Sequence, residues 1–371
     1  MQSISQKQAG TLHYRTCFHI GQKYSPSTSP NSSIAHGQIY VERLTPASVK
    51  QPFPLVMIHG YGMTGSQWLG PSDGGMDWIS WFLNKGFEIY LTDQPSRGRS
   101  PHHPSLDGPL DISDTLVAQQ RFTAPAKYNL WPSAKLHTQW PGSGIAGEDA
   151  HFDSLYASIM PSLRNAIKLS EKTRDAGVEL LDAIGRPAIL VAHSQGTQFG
   201  WLIADTRPTL VKAIVNLDPS GPPFYEASIH SPAGSDSELR KKFTPARPYG
   251  LTEIPITYSP PITSSSELSL EIVDDSSPYY IHVQQEAPAR KLINLVNIPQ
   301  LVVTAEASYH NTYDHCSVAY LKQAGVPVEH VKLEEAGIHG NGHMMFMEKN
   351  RLEILEKVIG PWLERVISHS G

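Results

Sequence analysis

Five stretches of this chain are short, almost wholly apolar and end in glycine or a small polar group: PLVMIHG (54–60), FEIYLTD (87–93), PAILVAHSQG (187–196), KAIVNLDPSG (212–221) and PQLVVTAE (299–306). PVEHVKLEEAG (327–337) repeats the theme. A strand that is apolar on both faces must be covered on both faces. Helix-compatible segments between these runs, around Trp78–Lys85 and at 195–205, 315–324 and 350–367, can supply that cover. The pattern therefore predicts an α/β fold with a mainly parallel central sheet and helices on both faces. Ahead of it, TLHYRTCFHIG (11–21) and GQIYVERL (37–44) predict an opening antiparallel pair, with YSPSTSPNSS between them as an exposed loop.

Two intervals interrupt the alternation, about 101–186 and about 222–290. Both leave the sheet after the C-terminal ends of strands, the side on which open α/β sheets bind ligands, so they read as cap or lid insertions on one core domain. The apolar and aromatic content of AHFDSLYASIM (150–160) predicts a packed helix within the first. Of 371 residues, 40% are hydrophobic and 18% charged, which gives material for a large core and argues against disorder. Thirty Lys and Arg against 35 Asp and Glu, with no basic block, exclude the electrostatic footprint of a nucleic-acid binder.

No apolar run reaches the length of a membrane span, and MQSISQKQAG lacks the basic and apolar parts of a secretory signal. The expectation from this end of the chain is a cytoplasmic protein, in which the sequon Asn31-Ser32-Ser33 has no role. Cys17 and Cys316 are nearly 300 positions apart and fit neither a disulfide framework nor metal-ligand spacing.

Chemistry concentrates in ILVAHSQGTQFG (189–200). A β-run leads into Ala192-His193-Ser194-Gln195-Gly196 and a helix-compatible run leaves it. Such a turn pushes Ser194 Oγ out of the sheet and needs small residues at Ala192 and Gly196, where backbones approach closely. It also sets the backbone N–H of Gln195 beside a developing oxyanion. The alternative is a serine that caps the following helix. After the first apolar strand, His59-Gly60-Tyr61-Gly62 follows the HGxG pattern, which makes the Tyr61 N–H the second oxyanion donor.

GIHGNGHMMFMEKN (337–350) is a Gly-rich loop between the last strand and the last helix. A general base there can reach a serine at the top of the sheet. His343 is favoured because MMFM follows it and would dock the loop; His339 competes. The two are four apart, a zinc-helix spacing, but Gly-Asn-Gly between them makes a poor helix and no HExxH glutamate is present, so no metal is expected. His102, His103, His310 and His315 gain nothing from position in the sequence. Two carboxylates follow strands and can orient the base: Asp218, in a loop stiffened by Pro and Gly, and Glu306, one strand later at the more usual position.

These motifs together resemble the α/β-hydrolases over about residues 54–367, as one domain spanning 1–371. IHGYGMTGSQW, GFEIYLTDQPSRGRS, AHSQG, a strand ending in acid-Pro and HGNGHMM are similar to those of a small esterase branch whose triad acid follows strand six. That resemblance implies Ser194 as nucleophile, Asp218 as acid and His343 as base, with backbone donors at Tyr61 and Gln195. It also implies that Arg97 and Arg99 hold the turn after strand four. The chain departs from the branch in having Asp where Glu is common, which leaves Glu306 open, and Tyr61-Gly62 in place of a cysteine pair.

The function expected is hydrolysis of a carboxylic ester or lactone through an acyl-enzyme, with no cofactor. Its partners would be small-molecule esters, lactones or activated acyl compounds, with homodimer formation left open. The alternative is acyl transfer or lactone-forming cyclisation on the same triad, as in fungal cyclases of the vibralactone type. A non-catalytic ligand receptor on the same scaffold is a third reading, disfavoured because every triad position is filled.

Overall fold

The computed structural model describes residues 10–70, 74–229 and 243–368. Its centre is an eight-stranded sheet. We number the strands β1 (His13–Ile20), β2 (Ile39–Pro46), β3 (Leu55–Ile58), β4 (Ile89–Asp93), β5 (Ala188–His193), β6 (Val211–Leu217), β7 (Gln300–Thr304) and β8 (Val328–Lys332). The spatial order is β1-β2-β4-β3-β5-β6-β7-β8. β1 and β2 pair antiparallel, β2 pairs antiparallel with β4, and the strands from β4 to β8 run parallel.

The faces of each strand separate with period two. In β5, Ile189 and Val191 enter one hydrophobic cluster while Ala188, Leu190 and Ala192 enter the other. The first face is covered by α1 (Trp78–Asn84) and α6 (Gly360–Ser368), together with Met344, Met345 and Phe346. The second is covered by α3 (Ala166–Ile184) and α4 (Gly196–Thr206), with α5 (Asp314–Gln323) contributing Tyr320 and Leu321. Each large aliphatic side chain buried in these layers contributes about 2 kcal/mol.

Two segments differ from the sequence expectation. The first interval was expected to stay an insertion as far as residue 186, but its last part is α3, a helix of the core. Leu169, Thr173, Ala176, Leu180 and Leu181, spaced by three and four, bury one face of it against the sheet and α4. The packing is close, since a Cβ on Gly177 would come within 2.3 Å of the Ile203 side chain. The Ser/Pro stretch after β1 is not simply a loop: Lys23–Pro26 pairs antiparallel with Ser33–His36. Pro26 sits at the strand end, where its missing N–H costs little.

The remainder of the first interval holds short helical turns, a two-residue antiparallel pair of Leu110–Asp111 with Ser162–Leu163, and α2 (Ala150–Ala157), which buries Phe152 and Leu155. Residues 230–242 of the second interval lie outside the described residues, as does most of the N-terminal MQSISQKQAG segment. What is described of the second interval is mainly extended chain, with an antiparallel pair formed by Leu270–Asp274 and His282–Gln285.

The register of the parallel strands sets out the site. Ile58 pairs with Ala192, His193 with Leu217, and Leu217 with Val303. The loops that follow β3, β5, β6 and β7 therefore leave the sheet at one level, and they carry Tyr61, Ser194, Asp218 and Glu306 in turn.

Candidate active site

Ser194 lies in a strand-to-helix turn at φ +53°, in the left-handed region that costs a residue with a Cβ about 1 kcal/mol or more. Neighbouring bonds hold it there. Its N–H donates to the Leu217 carbonyl at 2.9 Å, and its own carbonyl accepts from the Thr197 N–H at 3.0 Å and the Thr197 hydroxyl at 2.8 Å. Gly196 is required one step later: a Cβ there would stand 2.6 Å from the His59 carbonyl oxygen and 2.7 Å from that of Ile58.

Asp218, the first residue after β6, is also at positive φ (+42°) and wholly buried. One carboxylate oxygen accepts the Ala305 N–H at 3.0 Å; the other lies 2.9 Å from His343 Nδ1. Burial pushes the Asp218 carboxyl up to about 6, opposed by nearby His310 and by the Ala305 hydrogen bond. Burial likewise pulls His343 well below its ordinary 6.5, with His310 and Arg121 adding to the effect. The state consistent with both directions is a neutral imidazole whose Nδ1–H donates to Asp218, with Nε2 left as a base.

The His343 ring is packed on every side. It stacks on Phe122 at 5.4 Å and, in near-parallel planes, on His310 at 4.6 Å; His193 lies at 4.4 Å and Tyr309 at 5.0 Å. Its loop is tied down by Glu348, fully buried, which accepts from the Gly342 N–H at 2.9 Å and from Asn341 Nδ2 at 2.8 Å, and contacts His137 Nε2 at 2.7 Å. Met344, Met345 and Phe346 then enter the core beneath it.

The two competing residues of the sequence reading, Glu306 and His339, find each other. Glu306 accepts from Gly340 N–H at 2.7 Å and contacts His339 Nδ1 at 3.0 Å, where the His339 side chain is 65% exposed.

Tyr61 and Gln195 line the same cavity as Ser194. Among the described residues neither backbone N–H has an acceptor, so both are free for a ligand. Arg97 joins the two loops, in a place other than the one expected. It was expected to hold the turn after β4, as Arg99 does through Asp93 and Glu42. Arg97 instead donates to the Gly60 carbonyl at 2.8 Å and to Gln195 Oε1 at 2.7 Å. It is 1% exposed, has no carboxylate partner among the described residues, and burial lowers its pKa to about 9.

A cavity of about 240 Å³ opens beside Ser194. Arg121 from the first interval, Glu226 and Arg247 from the second, and Tyr309, His310 and Tyr313 after β7 contribute to its wall. Tyr309 faces the same cavity as Ser194, and burial pushes its hydroxyl well up. His310 Nδ1 lies 3.1 Å from the Pro219 carbonyl and 3.2 Å from Asp314. Sequence reasoning passed over Tyr309, His310 and Arg121 because none lies in a motif, and only the fold brings them to Ser194.

The metal-ligating spacing considered at His339 and His343 forms no ligand group, each ring being engaged by its own carboxylate. Among the described residues, His282, His315 and Cys316 do bring ligand atoms within 4.8 Å of one another, so Cys316 is less isolated than its spacing suggested. None of the three lines the Ser194 cavity.

Sheet order, the serine turn after β5 and the histidine loop after β8 are those of an α/β-hydrolase fold. The chain belongs to the alpha/beta hydrolase family, whose model matches residues 55–356. It is 43% identical over 350 residues to a protein described as "Probable secreted lipase phiG" from Fungal sp. (strain ATCC 74256), covering 94% of this chain and 89% of that one. Among solved structures it is similar to a novel bacterial esterase, with TM-score 0.60 and 20% identity over 98% of this chain and 100% of the other, a likeness of fold.

The expectation of a cytoplasmic protein is corrected here, because a relative along nearly the whole chain is described as secreted. That expectation rested on an absence in the first ten residues, and an absence at one end of a chain says nothing of its export. No described helix is long and apolar enough to cross a membrane.

Proposed function

We propose that this protein hydrolyses carboxylic esters of small molecules, with Ser194 as nucleophile, His343 as general base and Asp218 as the acid that orients it. The observation that carries this reading is the buried 2.9 Å contact from His343 Nδ1 to Asp218, with the His343 ring packed against that of His193, the residue before Ser194. Family membership and the lipase and esterase names of its relatives support it.

In the reaction, His343 Nε2 takes the Ser194 proton as Oγ attacks the ester carbonyl, and the resulting oxyanion is received by the Tyr61 and Gln195 N–H groups. The imidazolium then protonates the departing alcohol. Water enters, gives its proton to His343, and releases the acid from Ser194. Lactones fall under the same chemistry. Cyclisation requires a site that excludes water, and the polar wall of an open cavity, with Gln198, Ser220, Glu226 and Glu253, favours hydrolysis. On a secretory route the exposed sequon Asn31-Ser32-Ser33 becomes a glycan acceptor.

The test is release of chromophore from short- and medium-chain nitrophenyl esters, run in isotopically labelled water. Turnover by wild type, its loss in a folded Ser194→Ala protein, and solvent oxygen in the released acid are expected. Activity that survives Ser194→Ala removes the proposed nucleophile, and absence of solvent oxygen in the product removes hydrolysis.

A further inference from the structure

Arg121 lines the cavity beside Ser194 and takes no step in the proposed chemistry. It stands in the π-helical turn Gln119–Thr123 of the first insertion, an element that inserts an extra residue and recurs at functional sites. The turn is anchored around it: Gln119 Nε2 donates to the Thr115 carbonyl at 3.0 Å, and the Thr123 hydroxyl to the Gly144 carbonyl at 2.7 Å. Phe122 of the same turn stacks on His343. Arg121 lies over the Tyr309 ring, 5.6 Å from its centroid, and both line the cavity that opens beside Ser194.

A guanidinium carries five N–H donors in a rigid fork and keeps its charge. Among the described residues, none of those of Arg121 has a hydrogen-bond acceptor or a carboxylate partner. The other guanidinium of the cavity differs. Arg247 is used up by Glu226 and by the carbonyls of Pro222 and Tyr225. Arg121 is thus a held cation without an acceptor beside the Ser194 cavity, and after burial it is among the groups that lower His343 and His310. The cavity also contains Glu253, which offsets one positive charge and disfavours a dianion.

From this geometry we propose that Arg121 forms a subsite for a single carboxylate carried by the substrate, making hemiesters and other monoanionic esters the preferred class. The inference rests on Ser194 being the acylated residue. It supposes a spacer of a few carbons, since Arg121 lies across the Tyr309 ring in the wall of the cavity that Ser194 shares.

Binding without turnover provides the test. The Ser194→Ala protein is titrated calorimetrically with monoethyl adipate and with uncharged ethyl hexanoate, and the pair is repeated in Ser194→Ala/Arg121→Met and Ser194→Ala/Arg121→Lys. The hemiester is expected to bind about tenfold tighter, as one charge-assisted bidentate pair warrants. That ratio should fall to near one with Met, survive in part with Lys, and shrink with added salt. Equal affinity for the two esters, a preference that persists with Met, or an equal loss for both esters would overturn the subsite. In parallel, wild type is assayed on the para-nitrophenyl esters of the same two acids. If the binding preference holds and neither ester turns over, the subsite stands and the ester-hydrolase reading falls.

Discussion

The loop after β8 carries two histidines four residues apart, each against a carboxylate from the end of a neighbouring strand, and the two pairs have little else in common. His343 and Asp218 are 1% and 0% exposed, and the imidazole is enclosed by four rings. His339 stands in solvent at 65%, with Glu306 at 15%. Distances of 2.9 and 3.0 Å do not distinguish them. Burial does: an exposed pair of this kind is worth about 0–1 kcal/mol and is screened by salt, whereas a buried one fixes ring orientation and tautomer. The outer pair also ties the loop, since Glu306 holds the Gly340 N–H.

The sharpest way to break this contrast is to remove one member from each pair. His343→Ala and Asp218→Asn should each lower kcat/KM on a nitrophenyl ester by about a thousandfold or more, the scale at which triad members act. His339→Ala and Glu306→Gln should stay within about threefold. A larger loss for Glu306→Gln than for Asp218→Asn would transfer the acid to the outer pair. Next in size is Arg97→Met, which frees the Gly60 carbonyl and the Gln195 side chain from their common tie. A drop of about a hundredfold in kcat with little change in KM is expected, as for the loss of oxyanion stabilisation. A rise in KM alone would leave Arg97 as a binding residue.

The strand-turn-helix of AHSQG, the HGxG turn and the apolar strands are local features, and they were legible because a few neighbouring residues determine each. The choice between Asp218 and Glu306 was not, because both leave adjacent parallel strands at the same level. Which carboxylate meets which histidine follows from where residues 337–343 lie, and that depends on contacts far away in sequence, among them the Ala307 N–H to the Asn341 carbonyl and the Glu348 cluster. Tyr309, His310 and Arg121 were illegible for the same reason, and α3 was absorbed into an insertion because its apolar stripe is diluted by nine polar residues.

Glu348 offers a smaller test of how the inner pair is held. Its carboxylate accepts from Gly342 and Asn341 in a site without water access, so Glu348→Ala leaves those donors unpaired. Destabilisation of about 1–3 kcal/mol is expected in denaturant melts, together with a fall of about tenfold in kcat/KM as the His343 loop loosens. A stability loss with unaltered kcat/KM would show that the MMFM anchor alone positions the base.

The finest distinction is in pH. A general base must be neutral to accept the serine proton, so activity fails as pH drops through its pKa. The groups facing His343 are Asp218, His310, His193, Tyr309 and Arg121. Burial acts first to lower it, and His310 and Arg121 act in the same direction, so the acid limb of kcat/KM should lie below the ordinary histidine value of 6.5. Removing one of the positive neighbours must move the limb upward: Arg121→Met should raise it, and His339→Ala, on the solvent side of the loop, should leave it in place. A limb at or above 6.5 in wild type would mean that burial, His310 and Arg121 do not lower the imidazole, and the desolvated base of the inner pair would have to be given up.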